Sequence, residues 1–492
     1  MNNNRLKPIS LILLAALVVS LALSLLACGG GDKTTAETTT QADTTKAAEI
    51  EEEVDSLTAR QKVLDDLPDF DFDGRQWRTL TQTEYAWDVW VEAETGDIVN
   101  DAVYQRNRAV EERFNIVILP ADAPSYTEAS AKIKSTVLAG EDAYDVFQGH
   151  MIQTGGDALS KIFLNLYELK HADFTKPWYP KYAIEGLTMN GRMFIGLSDM
   201  TLAIIHRTYC YIYDKQMADS YGIEDISKIA LEGKWTVDRL IEITNQVYSD
   251  LDGDSTKSAG DYYGFMSPVV NASTTYYYSF DIERLSVDSD GVLTLGYNDE
   301  RMMTAYEKLN TLFASEGTWS DSKSASVNDF ANGHSLIVST VVGNTLSSLR
   351  DYENEYGIIP YPKLDEAQDN YYTICGGGVS TISVPKTISD TEYNGAVIEA
   401  LSSETWRNTV PQYYDVALKV KGTRNEESIQ VLDLLLDGRA VDIALCYDGW
   451  KGFSYKLHTL VGTGTEWASY YASNSEPIKA HYQKVVDLFF ED

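Results

Sequence analysis

Cysteine is scarce in this chain and basic residues are outnumbered. The 492 residues include 4 cysteines and 6 histidines, and 40 lysines and arginines stand against 74 acids, for a net charge of −34. So few basic residues exclude nucleic acid as a partner, because binding phosphate requires basic patches. The excess acid reads as solvating charge on a secreted surface. Three of the cysteines, Cys210, Cys375 and Cys446, lie in the apolar stretches TYCYIY, YTICGGG and ALCYDGW. An odd set cannot pair completely, and these settings read as buried thiols. With no CxxC and only isolated histidines, a transition-metal site has no support. No nucleophile elbow and no HExxH occurs either.

What is present begins with a charge-free apolar run, LILLAALVVSLALSLLA, from Leu11 to Ala27, behind Arg5 and Lys7. That is the layout of a secretory signal. Its end, Leu25-Leu26-Ala27-Cys28, resembles the bacterial lipobox, which implies removal of residues 1–27 and lipid attachment at Cys28. Two or more acyl chains hold a protein to a bilayer stably where one does not. Residues 28–71 open with GGGDKTTAETTTQADTTK, too poor in large apolar groups to fold. They read as a spacer whose roughly 40 flexible residues would span on the order of 35 Å.

The remainder exceeds what one hydrophobic core supports and predicts two domains. Apolar strand-like runs RTLT, NIVILP, YDVFQG and RMFIGL alternate with helical patterns. In NDAVYQRNRAVEERF, Val103, Val110 and Phe114 share a helical face. A second series runs TYCYIYD, then WTVDRLIEITNQVY with Val237, Leu240, Ile241, Thr244, Val247 and Tyr248 on one face and Thr236 as N-cap, then HSLIVSTVV. Strands separated by helices predict α/β layers with largely parallel pairing.

The segments NGRMFIGLSDMTLAIIHRTYCYIYDKQMADSYGI, GKWTVDRLIEIT, NGHSLIVSTVVGNTLSSLRD and YGIIPYPKLDEAQDNYYT, in this order, resemble the extracellular solute-binding proteins of carbohydrate-type ABC transporters, the maltose-binding-protein-like cluster. The likeness covers roughly residues 72 to 460, with YDK at Tyr213–Lys215 where the family has YNK. It implies a two-lobed periplasmic-binding-protein-like α/β fold with hinge crossovers near Asp199–Ile205, near Ser339–Asn344 and after Lys386. Lobe one would hold 72–202 plus 342–386, and lobe two 203–341 plus 387–492. The implied function is capture of a sugar or oligosaccharide in the interlobe cleft and delivery to permease subunits. The resemblance implies no catalysis and no catalytic residue, and a monomer tied to the membrane through its lipid.

Sugar rings offer apolar faces and hydroxyl rims, so their sites combine aromatic platforms with polar side chains. EYAWDVWVEAETGD puts Trp87, Asp88 and Trp90 in a loop after the first strand, as cleft-edge ligands or as packing beneath the loop. Gln148 and His150 follow a strand end, where open α/β sheets bind ligands. Asp199 at the first crossover is a ligand or a hinge cap, Tyr277 and Asp281 come from TTYYYSFDIERL, and Trp450 comes from YDGWKGF. The three glycines Gly376–Gly378 bring backbone N–H groups near a ligand or form a plain turn. In DLDGDSTKSAGD, Asp250, Asp252, Asp254, Thr256 and Asp261 occupy positions 1, 3, 5, 7 and 12 of a calcium-type loop. Ser255 stands where an EF-hand has Gly, and the loop is nearer the dockerin type, of which only one copy is present. Either it holds a structural calcium ion or it is an acidic solvated turn. Two rivals stay open: a receptor of this fold for peptides or other polar solutes, and a surface glycoside hydrolase, which needs two flanking carboxylates.

Overall fold

The first strand, β1 (Arg75–Gln82), lies between two parallel neighbours, β2 (Ile116–Ala123) and β3 (Val146–Gln148). The computed structural model describes residues 59–268, 273–321, 326–414 and 426–491. The expected signal segment and Cys28 lie outside them. In β2 the side chains alternate, Ile116 and Ile118 inward and Val117 and Leu119 outward. Pro120 is tolerated there because β2 is an edge strand and has no outer partner to serve. The helix Ile98–Phe114 is capped by Asp97, whose carboxylate accepts from Val99 N and Asn100 N. It buries Val103, Val110 and Phe114, the face read from the sequence.

A second sheet takes β4 (Tyr209–Asp214), β5 (Tyr248–Ser249) and β6 (Tyr262–Met266). Past a hairpin of β7 (Leu285–Val287) and β8 (Leu293–Leu295), it adds β9 (Thr318–Trp319), β10 (Ser335–Val341) and β11 (Tyr356–Ile359). The order is β11-β4-β10-β6-β5, with β9 also paired to β6. Its pairing is mixed rather than largely parallel, since β4 runs antiparallel to both β10 and β11. Thr236 caps the helix Val237–Gln246 by accepting from Arg239 N, as expected. The helix stops at Gln246, so Tyr248 sits in β5 instead of on the helical face.

Three chain segments join the sheets and lie side by side. Thr208 bridges Cys375 antiparallel, and β12 (Thr373–Ile374) pairs in parallel with β13 (Arg439–Ala440). Beyond Cys375 the chain returns to the first sheet, where Ser380 and Ser383 bridge His150 and Phe147 and Ile382 bridges Gly196.

The expected lobe boundaries shift accordingly. Residues 342–364 stay with the second sheet, because β11 pairs with β4 there. Residues 387–414 belong with the first: Arg75 pairs with Asp390 at 2.8 Å and the Trp77 and Tyr393 rings meet at 5.8 Å. Glu399, in the helix Thr391–Glu404, accepts from Trp178 Nε1 and Tyr179 Oη. The spacer is also shorter than 28–71. Asp65 is buried, pairs with Arg113 at 2.6 Å and accepts from Ser403, and Phe70 and Phe72 pack on the core. The run RMFIGL forms only isolated bridges at Arg192 and Gly196. Among the described residues no helix is long and apolar enough to cross a membrane.

Burial raises the carboxyl pKa of Asp88 and Asp199 to about 6 and of Glu399 to about 7. The folded state therefore holds these protons more tightly than the unfolded chain does. The stabilisation is complete below the unfolded carboxyl range near 4 and is lost as pH rises through 6 to 7. Over the same range the buried imidazoles work the other way, because burial lowers the pKa of His150 and His206 to about 4 while the unfolded chain takes up those protons near 6.5. Glu399→Gln isolates one carboxyl: the stability of the wild type relative to this variant should be greater at pH 5 than at pH 8 by on the order of 2 kcal/mol. Urea midpoints of the two proteins at the two pH values check this, and a pH-independent difference would sink it.

Candidate functional site

Both sheets aim their strand ends at the crossing segments. At the end of β1 come Gln82, a turn over Thr83–Tyr85 and the short helix Ala86–Val89; at the end of β3 come Gln148, Gly149 and His150. The Gln82 amide donates to Gly378 O at 3.3 Å, and Gly376 N donates to Arg207 O at 2.9 Å. A Cβ at Gly377 would fall 2.3 Å from Ile152 Cδ1 and 2.2 Å from Tyr455 Oη, so any side chain there would displace these two side-chain tips. The glycine run thus packs closely against both sides of the site.

An aromatic group lines the same place. The His150 ring lies 4.6 Å from that of Tyr126 and 5.8 Å from that of Trp450, which in turn is 4.9 Å from Tyr455. Trp450 is 42 % exposed and adopts φ +65, a strained backbone for a bulky residue that marks functional positions. Arg207 sits 6.0 Å from the Tyr85 ring centroid and 3.7 Å from Glu84. Three polar atoms here, Tyr85 Oη, His150 Nδ1 and Arg207 Nε, are buried without a partner among the described residues. Such atoms are costly unless something satisfies them. Burial, helped by Arg207, pushes the His150 pKa down to about 4, so the ring is neutral at pH 7 and offers one donor and one acceptor. At the first crossing segment, Trp87 stands 5.5 Å from the His206 ring, which hydrogen-bonds Tyr413 Oη at 2.8 Å and packs against Gly343 just past β10.

Of the residues singled out from sequence, Trp87, His150, Trp450 and the glycines Gly376–Gly378 reach this region. The remaining side chains are engaged otherwise. Asp88 is a structural anchor: it is 1 % exposed and its oxygens accept from Leu202 N and Ala203 N. Trp90 is half-buried against the core, and Gln148 is buried, its carbonyl accepting from Thr81 Oγ1. Tyr277 is a core residue whose hydroxyl donates to Phe453 O, and Asp281 is exposed in a turn at φ +50. Asp199 lines a different groove, with Tyr182 and Arg439. Gln82, Tyr85, Tyr126, Arg207 and Tyr455 were not legible. Only proximity to flagged residues marks them, Tyr85 just before Trp87 and Tyr455 just after Trp450.

In the acidic loop, carboxylate oxygens of Asp250, Asp252 and Asp254 lie within 4.8 Å of one another. Each also accepts a loop N–H, from Gly253, Asp254 and Thr256 respectively. Asp261 departs from the expected ligand set. Fully buried, it turns inward to accept from Leu251 N and Ser258 N, because those donors would otherwise go unpaired.

No family model matches the sequence, and a search of curated proteins returns no match. Solved structures do match. The UgpB protein of Mycobacterium tuberculosis in complex with glycerophosphocholine is 16% identical with TM-score 0.56, over 78% of this chain and 96% of that one. An ABC substrate-binding protein of Listeria monocytogenes in complex with cycloalternan is 14% identical with TM-score 0.54, over 83% and 99%. The maltose-maltodextrin binding protein of Alicyclobacillus acidocaldarius is 13% identical with TM-score 0.51, over 84% and 100%. This chain has the fold of the ABC transporter solute-binding proteins.

Proposed function

We propose that the protein is a lipid-anchored, extracytoplasmic receptor that binds a sugar or oligosaccharide where the crossing segments meet and delivers it to an ABC transporter permease. The observation that carries this reading is the pairing of aromatic faces, Trp450, Tyr455 and Tyr126, with the unpartnered polar atoms of Tyr85, His150 and Arg207. Aromatic faces suit the apolar C–H side of a pyranose, and guanidinium, imidazole and phenol groups suit its hydroxyls. A hydrolase requires two carboxylates across the bond, whereas the cluster just described contributes only Glu84. A receptor for another polar solute is the second reading, favoured by the structural neighbour that holds glycerophosphocholine. Cys28 would carry the lipid, and the receptor would act as a monomer.

The test is thermal unfolding of the purified protein against mono- and oligosaccharides, glycerophosphocholine and peptides, with recovery of the ligand afterwards. Ligands that bind only the folded state raise its stability by mass action. A carbohydrate that raises Tm and is recovered intact supports the receptor; a cleaved glycan overturns it; a shift with glycerophosphocholine or peptides alone replaces the sugar.

Asp250, Asp252 and Asp254, with the Thr256 carbonyl, would hold a structural calcium ion. Calcium should then raise Tm by several degrees, and Asp252→Ala should abolish that rise. A rise that survives the substitution would remove calcium from the account.

A further inference from the structure

A second groove, about 660 Å³, opens beside the crossing strand β13 and shares no lining residue with the aromatic cluster. One wall is the helix Lys181–Leu187 with Trp406 and Tyr414. The other is the end of the helix Glu426–Asp437, which packs on β11 of the second sheet. The groove is therefore bounded by both halves of the molecule, and its volume falls in the range of small-molecule sites.

Its floor holds an uncompensated pair of charges. Asp199 is 8 % exposed, and among the described residues no hydrogen bond to its carboxyl offsets the cost of burial; the fields of Arg439 and Arg60 oppose it. Arg439 lies over the Tyr182 ring at 5.2 Å and donates from Nε to Leu436 O at 2.9 Å, but its Nη1 is buried without a partner. The Tyr182 hydroxyl is likewise buried and unpartnered. Asp199 and Arg439 sense each other electrostatically yet form no ion pair. A buried guanidinium N–H and a buried carboxylate left apart in one cavity each lack a charged complement, and charge-assisted hydrogen bonds are the strongest way to supply it. Of the other charged groups, Lys181 pairs with Glu185, Arg60 donates to the Trp406 carbonyl, Asp433 accepts from Tyr414, and Asp437 is exposed.

We propose that this groove is a second ligand site, for an amino-acid-like zwitterion whose carboxylate meets Arg439 Nη1 and whose ammonium meets Asp199, with the Tyr182 hydroxyl as a third contact. Aromatic and proline surface from Trp406, Tyr414, Pro177 and Pro180 is available to a side chain.

The probes are the common L-amino acids, each titrated to millimolar concentration into the purified protein and read by calorimetry and thermal unfolding, with glycerol and sorbitol as neutral controls. One or more amino acids should bind saturably. Asp199→Asn and Arg439→Gln should each weaken that binding by at least about tenfold. Tyr182→Phe, which deletes one hydroxyl and keeps the ring, should weaken it less, and Trp450→Ala should leave it unchanged. Absence of binding by every amino acid overturns the proposal, as does binding by the neutral polyols alone or binding that survives both charge substitutions. Loss in Trp450→Ala instead would place the amino acid in the aromatic cluster, overturning this proposal and the sugar reading together. Absence of sugar binding by the wild-type protein, with amino-acid binding intact, would overturn the sugar reading alone.

Discussion

Arg106→Met is expected to lower the free energy of unfolding by about 3–5 kcal/mol, the cost typical of removing one partner from a buried charge network. Arg106 is 3 % exposed and donates to Met200 O at 3.1 Å, to Asp88 O and Val89 O at 2.9 Å each, and to Asn107 Oδ1 at 2.9 Å. One side chain thus ties the helix Ile98–Phe114 to the loop after β1 and to the first crossing segment. It also supplies the field that opposes the burial-driven rise in the Asp88 pKa. Methionine fills most of the space but removes the side-chain donor from the Met200 and Asp88 carbonyls, leaves the Val89 carbonyl with Asn107 Nδ2 alone, and takes away the charge that offsets the buried Asp88 carboxyl. Adding Asp88→Asn should recover part of the loss, because the double variant no longer buries an unpaired charge. Urea unfolding measures both. A loss below about 1 kcal/mol for Arg106→Met would mean that the network is replaceable by packing.

Trp450→Ala is expected to weaken binding of the sugar that most stabilises the wild-type protein by at least about thirtyfold, the effect of truncating a central aromatic contact of 2 kcal/mol or more. Trp450 projects from a left-handed backbone position next to Gly449, which also has positive φ, so the loop presents the ring instead of burying it. Alanine bears the same backbone strain as tryptophan at φ +65, and the free protein should therefore keep its Tm. Calorimetric titration of the variant settles the matter; unchanged affinity would remove Trp450 from the site, and a lowered Tm without ligand would assign it to packing.

The helix faces and caps were legible because they depend on residues a few positions apart. Val103, Val110 and Phe114 bury as read, and Thr236 caps as read. Membership of a sheet was not, because it depends on pairing across long sequence distances. YGII at 356–359 looks like any buried strand, and only its register with β4 assigns it to the second sheet. Tyrosine content misled in a similar way. Tyr276, Tyr277 and Tyr278 resemble cleft platforms in the sequence, yet all three are buried and serve as core residues, with hydroxyls paired to Tyr211, Phe453 and Asp442. Asp88 shows the same limit. A carboxylate between two tryptophans reads as a sugar contact, whereas its role as an anchor for Leu202 N and Ala203 N appears only when the first crossing segment is brought beside it. Arg207 carries no local signal at all, being one basic residue before a strand; its place beside Tyr85 and Gly376 comes from how the crossing segments align.

Cys210, on β4, Cys375, at the second crossing, and Cys446, in the short helix Ile443–Cys446, are all buried free thiols. Burial pushes each thiol pKa upward, that of Cys375 to about 11, so at neutral pH none presents the thiolate that attacks disulfides and reacts with oxidants. The body of the protein consequently reaches its native state without surrendering electrons to any acceptor. A chain made in a reducing cytoplasm and one matured in an oxidising exterior should be the same folded molecule, and neither needs an oxidoreductase to become it.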